Sequence, residues 1–201
     1  MKLYGHPFSN AARRVQMLCE ECGIPYTYQV VDLMNGEQYS TDYLALNPNG
    51  KVPVIEDEGF VLWESNTIMR YLADKHKAES WYPSEAKSRS HVDQWLDWSQ
   101  TRLGPEAGKI MFNTHFAGEN GNQQAIEDGK KWLQKILPVM DGILSKQPYL
   151  CGDSITLADL AAVTNIAYLE MCRYELDDYP AVGKWYNNMK QRSSFVATVP
   201  K

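Results

Sequence analysis

No stretch of this 201-residue sequence approaches the ~18 consecutive apolar residues of a membrane span. Its opening, Met1-Lys2-Leu3-Tyr4-Gly5, reads as the start of a folded element and not as a signal peptide. Basic charge is not in excess either: 20 Lys and Arg stand against 25 Asp and Glu, a formal net charge of -5. A polyanion such as nucleic acid therefore meets no basic face. Cysteine is scarce, and Cys19, Cys22, Cys151 and Cys172 form no disulfide framework of the kind that staples small secreted domains. The histidines at positions 6, 76, 91 and 115 fall in no cysteine–histidine spacing that suits zinc. No phosphate-binding loop, dinucleotide fingerprint or Gly-x-Ser-x-Gly elbow occurs. These absences predict a cytoplasmic globular protein with reduced thiols and no metal, nucleotide, nucleic-acid partner or membrane association.

What is present is ordinary in bulk and informative in its order. Hydrophobic residues make up 44% and charged residues 22% of the chain, a globular balance in a length that suits one large domain or two small ones. The run Asn47-Pro48-Asn49-Gly50-Lys51-Val52-Pro53-Val54-Ile55 is a turn feeding a β-branched segment with a proline planted in it. Proline donates nothing to a sheet ladder, so it belongs at an edge, a strand start or a bulge. A cis Val52–Pro53 bond would turn the Val52 N–H and C=O outward, free to pair with an extended peptide-like ligand. An edge strand that merely starts with Val-Pro is the alternative.

Around that run the local signals order themselves. A short strand at Leu3-Tyr4 breaks at Gly5-His6-Pro7, and Ser9 or Asn10 caps a helix whose buried face is Val15, Leu18, Cys19 and Cys22. Gly23 ends that helix. A strand over 26–31, one or two helical turns over 42–46, a hairpin over 52–62 and a helix over 64–76 follow. This order predicts an α/β thioredoxin-like domain, a four-stranded mixed sheet with helices on its faces, over residues 1–78. A linker at 79–86, marked by Trp81-Tyr82-Pro83, leads into an all-α helical bundle over 87–201. In the bundle a long helix over 88–115 should kink at Gly104-Pro105, and another over 123–145 should be interrupted or bent near Pro138. Helices over 156–171 and 181–191 complete it. Thr156 and Asp159 fit a capping box, with Ile155 and Leu160 as its hydrophobic staple.

Glu64-Ser65 falls at a predicted helix N-terminus, where backbone N–H groups and the macrodipole favour a carboxylate. A Val52-Pro53 strand, a second strand and then Glu64-Ser65 resemble the glutathione transferase family. Tyr4-Gly5-His6-Pro7-Phe8-Ser9, with Arg14-Val15 after it, is similar to the serine-type members, the theta- and phi-like classes. The likeness continues at Gly152-Asp153-Ser154-Ile155-Thr156-Leu157-Ala158-Asp159, and together these motifs span nearly the whole chain.

The resemblance implies glutathione as co-substrate, activated as thiolate for attack on small hydrophobic electrophiles. Ser9 would donate a hydrogen bond to the sulfur, with Asn10 as its understudy. Val52, beside Pro53, would pair with the cysteinyl unit through its main chain. Glu64 and Ser65 would hold the γ-glutamyl end, and Lys51 or Gln38 would face the glycyl carboxylate. The electrophile would lie between the domains, walled by Phe8, Leu33, Leu103, Ala107, Ile110 and Met111. The resemblance also implies a homodimer, with Trp63 and the helix after it near the partner. A non-catalytic interaction or stress protein, or a glutathione-dependent isomerase or dehalogenase, are the rival readings. Tyr4 suits a core tyrosine better than a thiol donor. Cys19-Glu20-Glu21-Cys22 lies near the end of the first helix, where a thioredoxin-like redox pair would sit at its start, so both cysteines read as packing residues.

Overall fold

In the computed structural model, which describes residues 1–200, the chain divides into two compact units. One comprises Met1–Glu79 together with the residues from Arg192 on; the other is Ser80–Gln191.

The first unit is a four-stranded sheet in the order β2-β1-β3-β4, with β1 at Lys2–Gly5, β2 at Thr27–Val30, β3 at Val54–Asp57 and β4 at Phe60–Trp63. β1 runs parallel to β2 and antiparallel to β3, and β3 and β4 form the hairpin. The mixed pattern follows from the connections. A crossover helix, α1 (Asn10–Cys22), joins β1 to its parallel neighbour, whereas two turn residues suffice between antiparallel β3 and β4. Leu3 sits opposite Ile55, and both are fully buried with Val15, Leu18, Ile68 and Leu72. These apolar side chains come from β1, β3, α1 and α3 (Ser65–Lys75), and their burial holds the helices on the sheet. A short α2 (Thr41–Leu46) lies in the connection before β3. β3 begins two residues later than the predicted hairpin, because Pro53 has no N–H to give a ladder; the Val52–Pro53 peptide is cis.

The second unit is helical: α4 (Ala86–Trp98), α5 (Gly104–Met111), α6 (Gln123–Leu144), α7 (Leu157–Met171) and α8 (Pro180–Lys190). The predicted kink at Gly104-Pro105 is a π-helical turn, Ser99–Leu103, immediately before it. Pro105 cannot donate the usual helical bond, and a Cβ on Gly104 would come within 2.9 Å of the Ser99 carbonyl oxygen. A second π turn, Phe112–Phe116, ends this stretch. α6 runs through Pro138 without the interruption that was one of the two expectations there.

α7 is the axis of this unit, with every residue buried from Leu157 to Ala167. Its N-terminus carries the predicted capping box of Thr156 and Asp159. Asp159 is fully buried and accepts hydrogen bonds from the N–H groups of Leu150 (3.0 Å) and Thr156 (2.9 Å), the Thr156 hydroxyl (3.3 Å) and the Trp185 indole (3.1 Å).

The C-terminal boundary expected for the helical domain needs correction. From Arg192 on, the chain groups with the first unit, where the short α9 (Ser193–Ala197) packs on α1. Side-chain bonds from Arg13 and Glu21 make it do so, and no local periodicity records them.

Candidate functional site

β1 ends at Gly5 and α1 begins at Asn10, so His6-Pro7-Phe8-Ser9 must reverse the chain. The Ser9 N–H closes this turn on the His6 carbonyl at 2.8 Å, and the Phe8 N–H donates to His6 Nδ1 at 3.3 Å. Ser9, with φ -84 and ψ 110, is the N-cap; its Oγ accepts from the Ala12 N–H at 3.2 Å. Asn10 is the first helical residue, which separates the two candidate caps. Capping uses a lone pair of the Ser9 hydroxyl and leaves its proton, for which no acceptor exists among the described residues. Capping and donation are therefore compatible in one hydroxyl, and accepting one bond polarises it toward giving another.

Tyr4 is held in the other role foreseen for it. Its hydroxyl donates to Glu56 Oε2 at 3.1 Å, and its ring meets Tyr43 edge-on at 6.3 Å between centroids. Burial and then the Glu56 carboxylate raise its pKa; it is a half-buried group packed against the core cluster of Val31, Tyr43 and Val54. Cys19 is likewise inert: burial, with smaller contributions from Cys22 and Glu20, pushes its thiol up to about 12.

The turn before β3 is pinned from inside. Buried Asn47 donates through Nδ2 to the Lys51 carbonyl at 2.8 Å, and the Tyr43 hydroxyl donates to the same oxygen at 2.8 Å. Gly50 has φ +59, and a Cβ there would approach the Tyr39 ring to 2.9 Å; only glycine fits without a shift. Among the described residues nothing pairs with the main-chain N–H or C=O of Val52. The Lys51 side chain is exposed. Gln38 is buried, its Nε2 donates to the Leu33 carbonyl at 3.4 Å, and its Oε1 faces inward without a partner. The donor that a carboxylate would need from Gln38 is thus turned to the loop.

At the β4–α3 junction Glu64 has φ +72, a strained conformation for a residue with a side chain, of the kind found at ligand clamps. Ser65 opens α3 and is nearly buried, and its hydroxyl has no partner among the described residues. Next to it, the Asn66 side-chain oxygen accepts from Arg14 Nη1 at 3.2 Å, tying the first turn of α3 to α1.

The residues expected to wall an electrophile part into two groups. Phe8, at 38% exposed, and half-buried Leu33 present apolar surface in the first unit. Leu103, Ala107, Ile110 and Met111 do not: each is at most 1% exposed, packed inside the helical unit, where Ile110 abuts Gly129 of α6 and Met111 the Cys172 thiol. They are core, a correction to the expected pocket. The exposed apolar side chains on that stretch are Phe112 and Phe116, which lie outside the expected wall. Among the described residues no cluster of His, Cys, Asp and Glu is arranged to hold a metal ion, and no helix is long and apolar enough to cross a membrane.

Comparison with known proteins gives the same picture along the chain. Residues 8–75 match the family model of the glutathione S-transferase N-terminal domain, and residues 103–193 that of its C-terminal domain. A probable glutathione S-transferase GSTF2 of Oryza sativa subsp. japonica is 33% identical over 200 residues, covering 96% of this chain and 93% of the rice protein. Glutathione S-transferase F10 of Arabidopsis thaliana is 32% identical over 203 residues, covering 97% and 94%. The crystal structure of glutathione transferase F2 from Populus trichocarpa superposes with a TM-score of 0.92 at 30% identity, over 98% of this chain and 96% of that one. A glutathione S-transferase-I bound with lactoylglutathione superposes with a TM-score of 0.90 at 30% identity, over 98% and 97%.

Proposed function

Since this chain belongs to the glutathione S-transferase family, we propose that it is the Ser9 hydroxyl that activates glutathione for attack on small hydrophobic electrophiles. The enzyme is a transferase that uses glutathione as co-substrate. A free thiol titrates near ~8.5, so only a few per cent is thiolate at neutral pH. Lowering that value by two units takes ~2.7 kcal/mol of preference for the charged form. One charge-assisted hydrogen bond from Ser9, aided by the positive end of α1, is of that size. Ser9 acts as donor, not nucleophile. The thiol proton leaves to solvent as the thiolate forms, and the sulfur attacks the electrophilic carbon. In a substitution the leaving group departs with its electron pair, and in a conjugate addition the adjacent carbanion takes a proton back from solvent.

The remaining contacts follow from what each group has to offer. Val52 supplies the unpaired N–H and C=O beside Pro53 to the cysteinyl unit. Ser65, with its hydroxyl and the N–H groups of the first turn of α3, takes the γ-glutamyl carboxylate, and the Glu64 carboxylate takes the ammonium. Lys51 is the exposed cation for the glycyl carboxylate, while Gln38 shapes the loop beneath it. Phe8 and Leu33 offer apolar surface to the electrophile near the thiol. Asn10 ranks below Ser9 because it does not hold the cap.

The assembly we propose is a homodimer in the cytosol. Supporting it are Phe60 and Trp63, exposed on the edge strand β4. A groove of about 350 Å³, lined by Trp98, Ile136, Val139 and exposed Trp132 together with Thr101, Arg102, Glu106 and Lys135, offers a mixed apolar and charged seat for a second copy.

The observation that carries the reading is the Ser9 oxygen capping α1 with its own proton uncommitted. Ser9→Ala tests it: kcat/KM with a model aryl halide should fall about 10- to 100-fold at neutral pH, equivalent to one to two pKa units. The pH at which thiolate absorbance of bound glutathione appears should rise by the same amount. An unmoved pH midpoint removes Ser9 from the role. A wild-type chain that gives no heat with glutathione in calorimetry supports the non-catalytic alternative instead.

A further inference from the structure

The start of α1 has a role in the proposed chemistry, whereas the other end of the chain, which packs on the same helix, has none so far. Arg13 is 6% exposed. Its guanidinium lies 4.0 Å from the centre of the Phe195 ring, its Nη2 donates to the Phe195 carbonyl at 3.0 Å, and its Nε donates to Thr198 Oγ1 at 3.3 Å. The Thr198 hydroxyl in turn donates to the Ser194 carbonyl at 2.8 Å. Two turns along α1, Glu21 accepts from Arg192 Nε (2.6 Å) and Nη2 (2.8 Å) and from Ser194 Oγ (2.6 Å). A segment at the very end of the chain therefore grips α1 at two points.

Local helix energetics does not ask for this arrangement. α1 has no acidic residue in its first turn and puts Arg13 and Arg14 in its N-terminal half, where the macrodipole disfavours cations. A helix that breaks a local rule in this way does so for a tertiary reason. Arg13 is also the residue whose backbone N–H closes onto the Ser9 carbonyl, at 2.9 Å. The first turn of a helix lacks internal partners and frays most readily, and here that turn carries the Ser9 hydroxyl. Anchoring the side chain at its far edge holds the turn from outside.

We propose that residues 192–200 are a clasp on α1, and that Arg13 is a positioning residue which, through that clasp, keeps the Ser9 hydroxyl where it meets the thiol. The proposal rests on Ser9 as the thiol donor. Arg13 itself touches no reacting atom; it acts through the geometry of the first turn.

The test is the thiolate absorbance of bound glutathione as a function of pH, in the full-length chain. It compares wild type with Arg13→Gln, Arg13→Lys, Thr198→Val, Ser9→Ala and the double variant Ser9→Ala with Arg13→Gln. Arg13→Gln should raise the midpoint by about half a unit to one unit, which is roughly three- to tenfold less thiolate at neutral pH. Arg13→Lys keeps the charge and loses the planar fork, so its midpoint should still rise. In the Ser9→Ala background Arg13→Gln should add no further shift, because the positioned group is gone. Thr198→Val keeps the side-chain volume and removes one acceptor; its midpoint should rise less, and it carries the comparison if Arg13→Gln does not fold. An unmoved midpoint in the Arg13 and Thr198 variants, with Tm lowered, makes the clasp structural only and overturns the proposal. So does an equal shift in the Ser9→Ala background, or an Arg13→Lys midpoint at the wild-type value, since either makes charge the cause. A wild-type chain that leaves the bound thiol at its solution midpoint overturns the role of Ser9, and the clasp's catalytic part falls with it.

Discussion

Single residues at this site do two jobs each. Ser9 gives a lone pair to its helix and leaves its proton uncommitted, so capping and the proposed donation do not compete. Asn47 and Tyr43 converge on one carbonyl, that of Lys51, and so immobilise the residue before Val52. Gly50 makes that convergence possible. A side chain there faces both a φ of +59 and the Tyr39 ring at 2.9 Å. Gly50→Ala should therefore cost about 1–3 kcal/mol of stability and weaken glutathione binding, with urea denaturation and calorimetry as the measurements. A loss of stability with unchanged affinity would detach the turn from the ligand. The turn sequence Asn47-Pro48-Asn49-Gly50 was readable because its residue types are demanded by backbone conformation alone. The inward face of Gln38 was not, since it depends on where the Leu33 carbonyl lies.

Among the elements, α7 shows how much one polar side chain can organise. Asp159 joins the cap of α7, the loop at Leu150 and the indole of Trp185 on α8. Asp159→Ala leaves buried N–H groups without acceptors and should cost about 3 kcal/mol or more, because each orphaned donor carries its own desolvation penalty. Equilibrium unfolding measures it; a cost under 1 kcal/mol would mean water replaces the carboxylate. The Thr156–Asp159 box was legible because capping is a four-residue affair. The π turns around α5 were not. Ser99, which opens the first of them, accepts from buried Asn165 of another helix at 3.0 Å, a contact that no local pattern records, and Leu103, Ala107, Ile110 and Met111 continue the buried face.

At the scale of the whole molecule, half-buried Glu21 and fully buried Asp159 should shape stability against pH in opposite directions. Burial opposes ionisation of Glu21, but the bonds from Arg192 and Ser194 outweigh it and hold its pKa below the ordinary 4.5. Its contribution is complete above 4.5 and is lost as pH falls through the lowered value. Burial of Asp159 outweighs its hydrogen bonds and pushes its pKa from 3.8 up to about 6. The folded state then holds that proton more tightly than the unfolded chain does, and stability declines as pH rises from 3.8 to 6. Arg192→Gln should flatten the acid limb of a Tm-against-pH curve, and an unaltered limb would rule out the Glu21 pair as its source. Trp132→Glu, placed in the groove proposed for the second copy, should convert a dimer to monomer in sedimentation; a wild-type monomer would end the proposal.

The sequence by itself determined the strands and the Thr156–Asp159 cap, because each depends on residue types within a few positions of one another, and the family, through the order of such short motifs. It left open the Val52-Pro53 bend and the choice of Ser9 over Asn10 as cap, which the structure settles. Only the tertiary structure decided which apolar stripe is core and where the C-terminus belongs. The bond from Arg13 to Thr198 spans 185 positions, and a contact of that kind exists only once the chain has closed on itself.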